Sequence, residues 1–296
     1  MSTTPPVTAP TRFSEERSEE VVAASFAATP DDRLRRILIA LVRHLHAFTK
    51  EVELTQGELD AAIDFLTRTG QKCDDVRQEF VLLSDVLGLS MLVDSIGNRT
   101  TEAATESTVL GPFHMVESPP RELGDTIALA PGGEPTLVTG QVLSTDGAGL
   151  AGAVVDVWQA DEKGYYDVQN PETVPERNLR GLFTCDEHGR FAFRTILPAP
   201  YPIPDDGPVG ELLAATGRHP YRPAHIHFIA GAAGHAPLTT HIFVAGSPYL
   251  DSDAVFGVKD SLVVDFPTVA DPTLPESHGL PPTFRHAHVE IRLRSA

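Results

Sequence analysis

The sequence predicts an α+β protein, an N-terminal helical part followed by an antiparallel β-sandwich. Two observations carry this. Apolar residues recur at helical spacing from about residue 29 to 97 and at a period of two from 136 onward. The second half also holds short β-rich runs with no helical pattern between them, which fits a sandwich better than alternating βαβ units.

Residues 1–28, beginning MSTTPPVTAP, are expected to form a disordered arm, being Pro/Thr-rich and without the basic and apolar regions of a signal peptide. The helical part, 29–125, carries Leu34, Ile37, Leu38, Leu41, Leu45 and Phe48, then Leu59, Ala62, Ile63 and Leu66, then Val76, Phe80, Leu83 and Leu87. Three or four amphipathic helices follow. Thr29 before Pro30 reads as an N-cap, Thr55 with Glu58 as a capping box, and Gly70 as a stop after a last turn holding Arg68. Ile39 and Val42, off the main stripe, widen the apolar face in a way compatible with a dimer contact. Pro-rich sequence between 119 and 135 marks a boundary, so 126–296 forms the sandwich. Strands are expected at 137–143, 153–159, 190–197, 224–230, 238–244, 261–266 and 289–293, with turns such as Asp146-Gly147 and Asp186-Glu187-His188-Gly189 between them.

Composition removes several classes of function. With 41% hydrophobic and 22% charged residues and no apolar run near the roughly 18 a span requires, a membrane span is excluded. Asp and Glu number 41 against 23 Lys and Arg, and a net charge of -18 repels phosphate backbones, which argues against nucleic acid. Cys73 and Cys185 stand outside any CxxC and make no disulfide framework, so a reducing cytoplasm is expected.

All five tyrosines, Tyr165, Tyr166, Tyr201, Tyr221 and Tyr249, fall within 85 residues of the second half. Inside that stretch is RPAHIHF, 222–228, whose His225 and His227 are two apart on an expected strand and therefore share a face. Both imidazoles can then meet one metal. His44 and His46 have the same spacing on an expected helix, where two residues turn a side chain by about 200°, so they cannot converge. His286 and His288 pass the strand test and remain a rival pair. No cysteine or facial-triad carboxylate accompanies RPAHIHF, which leaves Tyr166 and Tyr201 as further donors. A phenol ionises near pH 10, so a tyrosine ligand requires a hard, strongly Lewis-acidic cation such as ferric iron. The residues alone lead no further than a His/Tyr site, and the same side chains also read as recognition groups of a metal-free binding module.

The segments VVDVWQADEKGYYDVQ (154–169), LRGLFTCDEHGRFAFRTILPAPYPIP (179–204), GRHPYRPAHIHFIAGAAGHAPLTTHIFV (217–244) and TESTVLGPFH (105–114) resemble the intradiol ring-cleaving dioxygenases, most closely the members acting on hydroxyquinol. The resemblance runs from about 31 to 266. It implies one Fe(III) per chain held by Tyr166, Tyr201, His225, His227 and a solvent hydroxide. The family's GxY motif falls on Gly164-Tyr165-Tyr166 and makes Tyr166 the ligand, equatorial with His225, while Tyr201 and His227 are axial. It further implies that Tyr201 takes a substrate proton and that Arg222 supplies a fixed positive charge. His241 stands where catechol-cleaving members usually carry glutamine, and either bonds the reacting intermediate or orients Arg222. The implied substrate wall is Leu82, Asp85, Val109, Leu110, Gly111, Pro112, Phe113, Ile203, Pro204 and Val255, with Leu110 replacing the phenylalanine of hydroxyquinol members. Asp85 either meets the third substrate hydroxyl or serves as a helix cap or arginine partner.

The implied reaction is O2-dependent cleavage of hydroxyquinol, benzene-1,2,4-triol, to maleylacetate in aromatic-compound degradation. Cleavage of catechol or chlorocatechol to cis,cis-muconate is the alternative. The resemblance also implies a homodimer joined through the N-terminal helices, with a lipid bound there.

Overall fold

Helical periodicity followed by alternation translates into two kinds of secondary structure in a computed structural model, which describes residues 12–75, 77–99, 103–114, 118–270 and 279–296. The helices are α1 Ser18–Ser25, α2 Asp32–Glu51, α3 Gln56–Gln71, α4 Glu79–Val86, α5 Leu89–Gly97 and α6 Pro208–Ala215. The strands are β1 Pro120–Arg121, β2 Pro135–Ser144, β3 Val154–Gln159, β4 Arg180–Thr184, β5 Arg190–Ile196, β6 Tyr201–Pro202, β7 Tyr221–Arg222, β8 His225–Gly231, β9 Leu238–Val244, β10 Val263–Val264, β11 Thr268–Val269 and β12 Phe284–Leu293. Among the described residues no single helix is long and apolar enough to cross a membrane.

The chain divides into two compact units, 1–67 and 68–296. In the first, α1 forms within the stretch expected to be a disordered arm, with Glu19 and Glu20 in its first turn where carboxylates favour the helix dipole. It lies against α2, and Glu19 pairs with Arg43 at 3.3 Å. The cap of α2 is Asp31 rather than Thr29, since its carboxylate accepts the Arg33 and Leu34 amides at 2.7 and 3.0 Å. The Thr55–Glu58 capping box forms, Glu58 accepting the Thr55 amide at 2.8 Å and Thr55 accepting the Glu58 amide at 3.3 Å. Gly70 sits inside α3, which runs on to Gln71. Val76 of the expected apolar stripe lies outside the described residues.

The second unit begins at Arg68 and holds α4 and α5 together with the sheets. Packing explains this. Leu82 and Val86 of α4 share one apolar cluster with Val209 and Leu213 of α6 and with Ile203, Ala254 and Val255. Glu79, fully buried in the first turn of α4, accepts the Val209 amide at 3.1 Å and pairs with Arg77 at 2.7 Å, so a carboxylate from one helix satisfies the N-terminus of another.

The larger sheet has the order β1-β4-β3-β8-β9-β10 and the second β11-β12-β2-β5; β6 and β7 form a short pair. Neighbours β3–β4, β3–β8, β8–β9 and β2–β5 are antiparallel as expected, but β12 runs parallel to β2 from Arg285↔Thr136 to Leu293↔Ser144. The sheets are therefore mixed rather than antiparallel. No tight hairpin joins β12 to β2, so nothing in the connection dictates an antiparallel approach. The strand expected at 261–266 shortens to a 3-10 turn, Asp260–Leu262, and the two residues of β10.

Alternation gives the larger sheet two buried faces. Val155, Val157, Phe183 and Phe228 meet Val138, Phe191, Phe193 and Ile291 of the other sheet, with Phe183 and Phe193 ring centroids 5.4 Å apart. The opposite face carries Trp158, Arg180, His225, His227 and His241, all essentially buried. Register aligns Arg180, Trp158, His227 and His241 in one row across β4, β3, β8 and β9. At the end of that row Arg180 grips Asp167, Nε at 2.9 and 3.0 Å and a terminal nitrogen at 2.6 Å. Asp167→Ala should therefore strand a buried guanidinium and lower unfolding stability in denaturant by about 3–5 kcal/mol. Glu290→Ala, which breaks the exposed pair with Arg292, should cost under about 1 kcal/mol. Equal losses would show that the buried pair contributes no more than a surface one.

Candidate metal centre

Three backbone devices bring the polar side chains together. Gly164 has φ +86°, and a Cβ there would lie 2.8 Å from Tyr201 Cβ and 3.0 Å from the Pro200 carbonyl, so a glycine is what lets the Tyr166 and Tyr201 segments approach. Tyr201 of β6 pairs with Arg222 of β7, and β8 follows at once with His225 and His227 on one face. Tyr165 turns outward, about half exposed, while Tyr166 is 1% exposed.

Donor atoms converge as a result. Tyr166 Oη lies 2.8 Å from His227 Nε2 and 3.4 Å from Tyr201 Oη, and His225 Nε2 lies 3.2 Å from His227 Nε2. Burial, with the Arg222 charge second, pushes His225 down to about 3, and burial holds His227 and His241 well below the usual imidazole range. All three rings are neutral at pH 7. His225 Nδ1 lies 2.7 Å from the Pro223 carbonyl, which can only accept, so the proton sits on Nδ1 and Nε2 keeps its lone pair. Burial raises the Tyr166 phenol well above its ordinary value, with neighbouring Tyr201 adding to it, so its ionisation calls for a compensating cation.

Arg222 is 3% exposed. Burial works against its charge, but Asp253 outweighs that with contacts of 3.1 Å to Nε and 3.2 Å to NH2. Gly257 makes room, since a Cβ there would sit 2.8 Å from Arg222 NH2. The result is a fixed cation whose NH1 is 3.3 Å from His225 Nε2.

The ring nitrogens of His225, His227 and His241 lie within 4.8 Å of one another, but His241 stands behind His227. Its Nε2 is 2.6 Å from His227 Nδ1 and its Nδ1 is 2.7 Å from Thr108 Oγ1, so its hydrogen bonds run to these two and not to Arg222. His286 and His288 instead share the Thr139 hydroxyl, at 2.9 and 3.1 Å, with His288 exposed. They meet no phenol.

A cavity of about 730 Å³ opens beside the donors. Leu82, Asp85, Val109, Gly111, Pro112, Phe113, Ile203, Pro204 and Val255 line it, together with Tyr201 and Arg222. Leu110, expected in this wall, is instead 43% exposed and faces a separate cleft beside Asp94 and Thr239. The Leu110 side chain therefore forms no part of the cavity wall. Burial raises the Asp85 carboxyl, opposed by a hydrogen bond from Ser90 and by the Arg222 charge, so the next helix, α5, supplies a serine partner.

Sequence reasoning missed several supports. Phe113 was expected in the substrate wall, but it also stacks on Tyr166 with centroids 4.4 Å apart. Trp158 stacks on His227 at 4.5 Å and 14°. The clue was that Trp158 is the single tryptophan, yet its neighbour is set by strand register. Asp253 gave no local signal, standing 31 residues from Arg222.

Residues 118–295 match the family model described as Dioxygenase, and residues 31–105 that described as Catechol dioxygenase N terminus. The chain is 54% identical to the hydroxyquinol 1,2-dioxygenase of Rhizobium sp. (strain MTP-10005) over 88% of each chain. It is 52% identical to the 6-chlorohydroxyquinol 1,2-dioxygenase of Cupriavidus pinatubonensis over 88% of this chain and 94% of that one. Among solved structures, the hydroxyquinol 1,2-dioxygenase from Pseudomonas putida DLL-E4 superimposes with a TM-score of 0.90 at 47% identity, covering 95% of this chain and 99% of that one.

The depressed histidines make a pH prediction for metal-free protein. As pH falls below the unfolded value of about 6.5, the unfolded chain takes up protons that the folded chain refuses. Stability is then intact above 6.5 and is lost from there toward pH 3, the folded value of His225, at up to about 1.4 kcal/mol per unit for that residue. Thermal melts of chelator-treated protein between pH 7.5 and 5 should fall more steeply for wild type than for His225→Asn; equal slopes would mean that the buried imidazole protonates freely.

Proposed function

The chain belongs to the intradiol ring-cleaving dioxygenases, and on that premise we propose that Tyr166, Tyr201, His225 and His227 hold one Fe(III) beside a cavity that takes hydroxyquinol. The enzyme cleaves the ring between two hydroxyl-bearing carbons, and O2 with hydroxyquinol gives maleylacetate, both oxygen atoms being retained. The single observation that carries the site is the meeting of two phenols and two neutral imidazoles, all buried and opening on an apolar-walled cavity. The donor set fits the metal, since phenolate oxygens suit a hard, strongly acidic cation and the imidazole lone pairs are free of protons.

When bound, ferric iron supplies the Lewis acidity that readies a chelated diol for O2. The protein's own groups do the rest. Tyr201 lines the cavity whereas Tyr166 lies behind it, so Tyr201 Oη is the phenol positioned to take a substrate proton. Arg222, held by Asp253, presents a preorganised positive charge where negative charge collects on the ring. Stacking of Phe113 on Tyr166 and of Trp158 on His227 fixes the ligand rings before substrate arrives. Leu82, Ile203, Pro204 and Val255 exclude water and favour a flat ring. Asp85 accepts a hydrogen bond from the third hydroxyl.

Leu34, Ile37, Leu41, Leu45 and Phe48 of α2 leave an apolar stripe exposed in the single chain, which supports a homodimer through the N-terminal helices with a lipid against that stripe. The free thiols of Cys73 and Cys185 suit a cytoplasmic enzyme.

Isolated protein should be red to burgundy from phenolate-to-iron charge transfer, with one Fe per chain by metal analysis. Tyr166→Phe should lose most of the band and the activity, and alanine at His225 or His227 should abolish iron binding. The double variant His286→Ala/His288→Ala should keep it. A colourless, iron-free wild type would favour the metal-free binding module.

Substrate choice is tested at Asp85. Catechol would leave its carboxylate without the third hydroxyl, a penalty of about 1–3 kcal/mol, or roughly ten- to a hundredfold in kcat/KM. Asp85→Asn should slow hydroxyquinol selectively, and Asp85→Leu should narrow or reverse the preference. Equal loss on both substrates would make Asp85 structural; a wild type that prefers catechol, giving cis,cis-muconate, would move the enzyme to that branch.

A further inference from the structure

We infer that Thr108 and His241 form a hydrogen-bond relay that holds His227 in its Nδ1–H tautomer and keeps the Nε2 lone pair facing the donor cluster. His241 is thereby a positioning residue and not a proton donor to substrate. The inference rests on the reading that His227 is an iron ligand.

Both nitrogens of His227 are engaged, and they face opposite ways. Nε2 looks toward Tyr166 Oη and His225 Nε2, at 2.8 and 3.2 Å, while Nδ1 looks toward His241 Nε2 at 2.6 Å. His241 passes the bond on to Thr108 Oγ1 at 2.7 Å. The three residues are at most 2% exposed, so no bulk water exchanges into the chain. A neutral imidazole carries one proton, hence the relay has only two consistent directions.

In one, the Thr108 hydroxyl donates to His241 Nδ1 and His241 Nε2–H donates to His227 Nδ1. The proton of His227 then sits on Nε2, pointing into the donor cluster and occupying the lone pair that a metal would use. In the other, His227 Nδ1–H donates to His241 Nε2, and His241 Nδ1–H donates to Thr108 Oγ1. Ligation selects the second direction, in which His241 must accept and Thr108 must accept from it. An acceptor on the far nitrogen also makes the ligating nitrogen more basic.

The surroundings prevent the ring from escaping this choice. Trp158 covers one face of His227, a Cβ on Gly111 would come within 3.1 Å of its Cε1, and the Thr108 amide is tied to the Thr239 carbonyl at 3.0 Å. His241 itself is 0% exposed and takes no part in the cavity wall, so it cannot reach a substrate there.

The test compares acceptors with isosteric non-acceptors in the iron-loaded protein. His241→Leu and Thr108→Val should weaken iron retention against a chelator roughly 10- to 100-fold and shift the phenolate-to-iron band. His241→Gln, whose amide oxygen can accept from Nδ1–H, and Thr108→Ser, which keeps the hydroxyl, should hold iron as wild type does. Rescue by glutamine is an outcome that an acid–base role for His241 would not produce. Retention by folded His241→Leu or Thr108→Val equal to wild type would overturn the relay, and so would loss in His241→Gln as deep as in His241→Leu. Should the leucine variant not fold, Thr108→Val against Thr108→Ser decides. A wild type that binds no iron would instead sink the metal reading, whatever the variants do.

Discussion

Strand β8 buries both of its faces, and the chemistry of the centre depends on that constraint. Ile226 and Phe228 enter the core between the sheets, while His225 and His227 face the other way and are just as dry. In water an imidazole is half protonated near pH 6.5; here desolvation strips that option and leaves lone pairs in place of charges. Dryness also obliges every true charge nearby to come with its opposite. Arg222 stands only because Asp253 does, and Arg180 because Asp167 does. The centre is thus assembled from neutral donors within a frame of compensated ions, which is the setting in which a bound cation makes the largest electrostatic difference.

How much of this could be read from the sequence follows from the range of the interactions. The capping box of Thr55 and Glu58 closes over three residues, and the HIHF alternation declares itself over four, so both were legible. Thr29-Pro30 mimics the cap of α2, while Asp31, two residues on, makes the bonds. Strand β4 escaped notice because Gly181 interrupts a run of only five residues, and the direction of β12 was invisible because its partner β2 lies some 150 residues earlier. The same limit governs the site. Tyr166, Tyr201, His225 and His227 could be proposed through family motifs, whereas the position of His241 behind His227 is a fact of register between β8 and β9. Leu110 was assigned to the cavity because it sits between two residues that line it, yet the loop turns at Gly111 with φ +79° and sends Leu110 outward.

Three glycines share one role. Gly164 admits Tyr201, Gly111 admits His227, and Gly257 admits Arg222, each where a single methyl group would collide or crowd. The apolar side chains of the cavity wall, such as Leu82, Ile203 and Val255, face empty space and can change size one at a time. The glycines cannot, because any replacement moves Tyr201, His227 or the Arg222 cation. Over evolutionary time the pocket is therefore free to drift toward new ring substituents while the frame of donors stays put, and a family could diversify in what it cleaves without relearning how.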